Sequence, residues 1–367
     1  MKKPLLGFFT SLFNAQTAEN KYKEGNDKAK LEEHRRAIAD HTKAIELNPN
    51  DSEAYCNRGN AKNDLEDYKG AIADFTKAIE LNTNYSAAYL GSGLSKHYLE
   101  DYEGAIVDYT KAIELNPNYS EAYNNRGNAK EWLEDRKGAI ADYTKAIELN
   151  PNYSEAYRNR GVSKNNLDDY KGAIADYTKA IELNPSDSEV YNTRGDAKNE
   201  LDDHKGAIAD YTEAIELNPS DSEAYRKRGN SKRNKKDYKG SIPDYTKAIE
   251  LNPNDSAAYL GRGLSKACLK DLRGAMADST NAIKLDSNDF YSYQCRGFYK
   301  ELLEDHKGAI ADFTRAIEIN PNESNLYRDR GKSKIKINKK DSAYLDFSKA
   351  GELGNSEAYD LIEEYCK

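Results

Sequence analysis

The chain has 367 residues, 38% of them hydrophobic and 32% charged, with a formal net charge of -8 and a mean hydropathy of -0.96. The acidic excess argues against nucleic acid as a general partner, because phosphate binding needs a basic surface that releases counterions. No stretch reaches the roughly 20 apolar residues that span a membrane, and so polar a chain cannot fill a large globular core. Its 28 tyrosines and evenly spaced Ala, Ile and Leu fit a thin, continuous one instead.

At the amino terminus Lys2 and Lys3 precede an apolar run from Pro4 to Phe13, followed by Asn14-Ala15-Gln16-Thr17-Ala18. That is the order of a secretory signal peptide, although Gln16 or Phe13 would stand where the cleavage site wants a small residue. Residues 1–17 equally suit an N-terminal cap, because an end repeat must cover its open apolar face. Export to a periplasm or the medium follows from the first reading, and a cytoplasmic location from the second.

From there a single period governs the chain. Glycine recurs at Gly25, Gly59, Gly93, Gly127, Gly161, Gly195, Gly229, Gly263, Gly297 and Gly331, always 34 residues apart. In the most regular unit, Ser120 to Tyr153, Ser120 is a candidate cap for a first helix, A, whose Ala122, Tyr123, Gly127 and Leu133 fall at helical spacing. Glu134-Asp135 then forms a turn with Asp135 as a candidate N-cap. A second helix, B, places Ala139, Ile140, Tyr143, Ala146, Ile147 and Leu149 on one stripe. Asn150-Pro151-Asn152 ends it, since proline cannot continue the amide ladder. A mid-helix glycine costs about 1 kcal/mol relative to alanine, so its recurrence predicts close approach of helix B to helix A at Gly127, with the small Ala139 and Ala146 facing the crossing.

This unit resembles the tetratricopeptide repeat: small residues at Gly127, Ala139 and Ala146, an aromatic at Tyr143, and Pro151 closing it. The resemblance runs from about residue 18 to 357 as ten tandem repeats of 34 residues, leaving 358–367 as a C-terminal capping helix. Thr83 replaces one closing proline, Ser279 replaces one aromatic, Pro243 enters one helix B, and the last repeat is short. The implied fold is an all-α right-handed superhelical solenoid of helix-turn-helix repeats, with helix A lining a concave groove.

Charged slots recur with the glycine. Lysine stands at Lys28, Lys62, Lys96 and onward to Lys334, aspartate at Asp40, Asp74 and onward to Asp346, and arginine fills eight slots from Arg58 to Arg330. Because the aspartates recur in step, a network stitching each repeat to its neighbour outweighs an anion-binding ladder; exposed pairs of this kind contribute only about 0–1 kcal/mol. Tyrosines from Tyr55 to Tyr327, four residues before each glycine, read as core rather than as base-stacking platforms. His34, His204 and His306 occupy an aromatic slot that holds Tyr68, Tyr102, Tyr170 and Tyr238 elsewhere, and Cys56, Cys268, Cys295 and Cys366 read as structural thiols. No triad, metal-ligand spacing or phosphate-cradling glycine loop is present, so neither catalysis nor a cofactor is expected.

The positions that differ between repeats carry the functional signal. On the implied groove these are Glu121, Asn124, Asn125, Asn128, Glu131 and Trp132, then Arg158, Asn159, Asn165 and Asn166, then Asn192, Asp196 and Asn199. Asparagine both donates and accepts, so such a row can hold the backbone of an extended peptide. Leu90, Gly91 and Leu94, and again Leu260, Gly261 and Leu264, make the groove apolar and read as anchoring pockets or as contacts beneath an adjacent repeat. Between Ser222 and Gly240 eight Lys/Arg face two acids, a site for an acidic ligand. Arg226 and Asn230 match loosely the pair with which some family members grip a terminal carboxylate, but Gly261 stands where the next asparagine belongs.

The expected function is a non-catalytic scaffold that binds an extended peptide or partner helix in the helix A groove. Its rivals are polyanion binding through 222–240 and a docking subunit of a larger enzyme complex. Exposed solenoid ends add end-to-end self-association to the partners to be considered.

Overall fold

The computed structural model describes residues 30–365. The expectations for residues 1–17, and the slots Gly25, Lys28 and Cys366, lie outside that range. Two compact units divide the chain after Leu183. The first contains α1 (30–47), α2 (Ser52–Asp64), α3 (Tyr68–Leu81), α4 (Ser86–Tyr98), α5 (Tyr102–Leu115), α6 (Ser120–Trp132), α7 (Arg136–Leu149), α8 (Ser154–Asn165) and α9 (Tyr170–Leu183). The second contains α10 (Ser188–Glu200), α11 (His204–Leu217), α12 (Ser222–Asn234), α13 (Tyr238–Leu251), α14 (Ser256–Cys268), α15 (Leu272–Leu285), α16 (Phe290–Leu302), α17 (His306–Ile319), α18 (Ser324–Lys336), α19 (Lys340–Glu352) and α20 (Glu357–Tyr365). Within each unit every helix packs on its chain neighbours, and successive A helices also touch, as α2 does α4 and α12 does α14. This is an all-α solenoid of helical hairpins. Among the described residues no helix is long and apolar enough to cross a membrane.

Local chemistry fixes each hairpin. The Asp135 carboxylate accepts the Gly138 N–H at 3.0 Å and caps α7, and Asp67, Asp101, Asp203 and Asp305 do the same for their helices. A Cβ at Gly138 would run into that carboxylate. Just before the cap, Glu134 adopts a left-handed backbone with φ 61°, a conformation that costs about 1–2 kcal/mol in a side-chain-bearing residue. The turn offsets it with two backbone bonds, from Glu134 N–H to the Glu131 carbonyl at 3.0 Å and from Asp135 N–H to the Lys130 carbonyl at 2.9 Å. Ser120, by contrast, is the first residue of α6 and does not cap it; Tyr119 holds the cap position without a side-chain bond. In α2, α10, α12, α14 and α16 an aspartate takes that place and does cap.

The core is a file of helix B aromatics. Tyr109, Tyr143 and Phe75 in the first unit, and Tyr211, Tyr245, Phe313 and Phe347 in the second, are fully buried. The recurrent glycine serves these rings rather than a backbone crossing: a Cβ at Gly127 would lie 2.6 Å from Tyr143 Cε1. Gly91 and Gly261 are buried too, each against the ring of the preceding hairpin, Phe75 and Tyr245. Near Gly263 no ring is present, because Ser279 stands in its place, and the nearest atoms are the Ala275 carbonyl oxygen and Asp278 Cβ, both at 3.2 Å.

The charged slots close each hairpin. Arg126 donates to both oxygens of Asp142, at 2.9 and 2.7 Å, and Lys130 reaches it at 2.7 Å. The link to the neighbour is a neutral partner: Arg126 Nη1 donates to the Thr110 hydroxyl of α5 at 3.0 Å. Arg58, Arg228, Arg262, Arg296 and Arg330 repeat this double attachment. Where arginine is missing, the Ser92 hydroxyl donates to Asp108 at 2.6 Å and Lys96 completes the site. Asp142 is only 4% exposed, so these are buried clusters whose desolvation must be matched by full pairing, not exposed surface pairs. At the far end α20 sets Ala358 and Leu361 into a cluster with Ala343, Phe347 and Ala350.

Candidate functional site

Side chains that differ between repeats, most of them on helix A, line a cavity in each unit. In the first unit Leu94, His97 and Tyr98 of α4, Tyr109 of α5, Asn125 and Asn128 of α6, and Glu155 of α8 surround about 140 Å³. Around it the asparagines bind one another. Asn159 donates to the side-chain oxygens of Asn124, at 3.2 Å, and Asn128, at 3.0 Å, while Asn124 donates to Glu155 at 3.4 Å.

Two expected groove residues are not available to a ligand. Asn124 is fully buried and its amide is committed to Asn159 and Glu155. Leu90 belongs to the core with Ala105, Tyr109 and Ala112, so it is a core residue and not a pocket wall. Arg158 is half-buried on α8.

Asn128 serves the core as well as the surface. A buried tyrosine needs a partner for its hydroxyl, and Tyr143 donates to Asn128 at 2.8 Å, Tyr211 to Asp196 at 2.7 Å, and Tyr245 to Asn230 at 2.8 Å. Where helix B carries Phe313 or Phe347 the same slot holds Phe298 or Lys332. Leu94 and Val162 hold the slot beside Tyr109 and Tyr177; burial pushes the pKa of Tyr109 up. His97 Nδ1 is buried without a partner, and burial lowers the pKa of that ring. Glu121 has its pKa raised by burial and then by the nearby Glu155 carboxylate. Exposed aromatics edge the face: Tyr98 stacks on Tyr68 at 4.9 Å and Trp132 on Tyr102 at 5.7 Å between centroids.

The second unit is apolar where the first is polar. Leu264, Cys268, Leu272, Tyr291, Phe298 and Leu302 are among the walls of about 410 Å³, and Leu260 packs behind them on Ala275, Cys295 and Tyr299. Burial pushes the Cys295 thiol up to about 11. Phe298 and Leu302 escaped the sequence reading, yet they lie 34 residues beyond Leu264 and Cys268 in the same columns, which is the signal that could have found them.

Elsewhere in the second unit the candidates are engaged. Asn192 donates to Asp221 at 2.8 Å. Arg226 pairs with Asp255 at 3.1 Å and Glu223 at 3.4 Å, and Asn230 holds the Tyr245 hydroxyl, so the pair does not present itself to a carboxylate. Lys227 pairs with Asp196, and Arg228 and Lys232 with Asp244. Half of the eight cations of 222–240 are therefore matched within the protein; of the other four, Lys235, Lys236 and Lys239 are exposed and Arg233 is partly buried. Cys56 and Cys295 are buried and Cys268 is exposed. His306 Nδ1 lies 3.0 Å from Glu301, and His204 Nδ1 2.8 Å from Asn199. Among the described residues no group of His, Cys, Asp and Glu could hold a metal ion.

Models of the tetratricopeptide repeat match residues 52–85, 120–153 and 154–187, and 222–255 and 292–323; a TPR repeat model matches 93–131 and 195–232. No curated protein matches the chain. Among solved structures, a tetratricopeptide repeat protein from Parabacteroides merdae is 22% identical with a TM-score of 0.51, over 67% of this chain and 97% of its own. PilF of Pseudomonas aeruginosa is 16% identical with a TM-score of 0.51, over 56% and 94%. YrrB, described as a TPR protein with an unusual peptide-binding site, is 26% identical with a TM-score of 0.44, over 50% and 95%. The first two likenesses concern the fold alone.

Proposed function

This chain belongs to the tetratricopeptide repeat family, and we propose that it is a non-catalytic protein-interaction scaffold whose helix A face binds an extended segment of a partner protein. One observation carries the reading: the buried clusters and ring-under-glycine contacts recur in most hairpins, while helix A positions that vary supply most of the walls of both cavities. A face that diverges on an invariant frame is where a repeat protein meets its ligand. In the second unit the cavity of about 410 Å³ is rich in aromatic and aliphatic side chains, as befits an anchor pocket at the centre of an interface.

The acidic-ligand alternative is weakened by the pairing of Arg226, Lys227, Arg228 and Lys232 within the protein. Short linear peptides selected by display on the full chain, then measured by fluorescence anisotropy against Phe298→Glu/Leu302→Glu, test the proposal. Both side chains are about half exposed, so the variant should keep its helicity and lose peptide affinity about tenfold or more. Failure to select any peptide, or equal affinity in the variant, would refute it.

A further inference from the structure

The cavity of the first unit differs in chemistry from that of the second, and its size limits what can enter. About 140 Å³ is well below the roughly 300–1,000 Å³ of a small-molecule pocket, and suits a single side chain. Resting on the groove reading above, we propose that this cavity receives a basic side chain, lysine or arginine, of the partner segment, with Glu155 as its counter-ion.

Glu155 stands in the wall, and Glu121 lies close enough for the two carboxylates to act on each other. No lysine or arginine is among the lining residues, and burial keeps His97 neutral, so the site carries net negative charge without an internal cation. Tyr109 lines the cavity as well, with Leu94 in the slot where Tyr143 finds Asn128, and its hydroxyl oxygen can accept from a ligand. The three N–H bonds of an ammonium or the fork of a guanidinium can donate to the Glu155 carboxylate and to the Tyr109 oxygen. Leu94 offers a surface for the alkyl stem.

Other occupants fit poorly. An apolar side chain would bury the Glu155 carboxylate with no compensating charge, and an acidic one would face two like charges.

The test uses the full chain and a display-selected peptide. Each Lys or Arg of the peptide is changed in turn to norleucine, and affinity is measured on wild type, on Glu155→Gln and on Tyr109→Phe. Glu155 is exposed, so the glutamine variant should keep the helix intact. One basic position is expected to matter by about tenfold on wild type, with a similar loss for Glu155→Gln and no added loss when the two changes are combined. Tyr109→Phe, which removes only the hydroxyl, should weaken the same peptide about threefold and leave its norleucine form unaffected. Peptides without a basic residue, or losses that simply add, would overturn the inference while the Phe298→Glu/Leu302→Glu result still stands for the groove. Failure to select any peptide would overturn both.

Discussion

Substituting alanine at Gly127 and at Gly263 should have opposite consequences, although the two glycines occupy the same slot of the repeat. Either change gains about 1 kcal/mol of helix propensity. At Gly127 the new methyl would sit 2.6 Å from the Tyr143 ring, which is fully buried and cannot swing away. Overpacking of this kind costs about 1–3 kcal/mol, and so deep an overlap belongs near the upper end, for a net loss of about 2 kcal/mol. At Gly263 the nearest atoms are 3.2 Å away, a few tenths of an ångström of adjustment, so the propensity gain and the strain roughly cancel. Local opening is the right observable, because a repeat array need not unfold in two states. Native-state hydrogen exchange should show α6 and α7 opening about thirtyfold more often in Gly127→Ala, with α14 and α15 unchanged in Gly263→Ala. Equal protection in the two variants would refute the claim that the glycine exists to seat the ring.

Other substitutions probe the remaining parts of the frame. Asp142→Ala should destabilise its hairpin by about 3–5 kcal/mol, since Arg126 and Lys130 would keep their buried charges without a partner; urea unfolding followed by hydrogen exchange over α6 and α7 would register it. Asn230→Leu should cost about 1–3 kcal/mol by stranding the Tyr245 hydroxyl, and the further change Tyr245→Phe should restore most of that loss in the same assay. With iodoacetamide at pH 8 and peptide mapping, the exposed Cys268 should be alkylated well before Cys295, whose thiol is buried and held at about 11. His97 has a folded-state pKa below its ordinary 6.5 because of burial, so its contribution is complete above that value and is lost as pH falls through the folded-state pKa. Thermal melts from pH 7 to pH 4.5 should therefore drop less steeply in His97→Gln.

The features that could be read from sequence act within one helix or one hairpin. Asp135 caps the helix that starts beside it, Pro151 ends the one before it, and the 34-residue recurrence of glycine and aspartate needs no knowledge of neighbours. What could not be read depends on how one hairpin is rotated against the next. Leu90 and Leu94 are one helical turn apart on the same strip, yet Leu90 joins a core cluster drawn from α4, α5 and α6 and Leu94 borders the cavity. Asn124 and Asn125 are adjacent, and only Asn125 reaches the cavity. Spacing within a helix cannot separate these cases, because the difference is set by which side chain of the neighbouring helix meets it. The amide row looked like a ligand surface for the same reason: its partners, Tyr143 and Glu155, are on other helices.

A binding face built this way does not diverge freely. In three hairpins the slot of Asn128 answers to the tyrosine fifteen residues later: Asn, Asp and Asn accept from Tyr143, Tyr211 and Tyr245, whereas Leu94 and Val162 stand opposite Tyr109 and Tyr177 and Asn60 opposite Phe75. A change from amide to apolar residue in that slot therefore leaves a buried hydroxyl unmatched unless helix B changes with it, a penalty of about 1–3 kcal/mol. Leu94 offers Tyr109 no such acceptor, and both residues stand at the wall of the polar cavity. A bound ammonium or guanidinium can donate to the Tyr109 oxygen there but cannot replace the missing acceptor, so the gain on binding rests on the Glu155 carboxylate in the same wall.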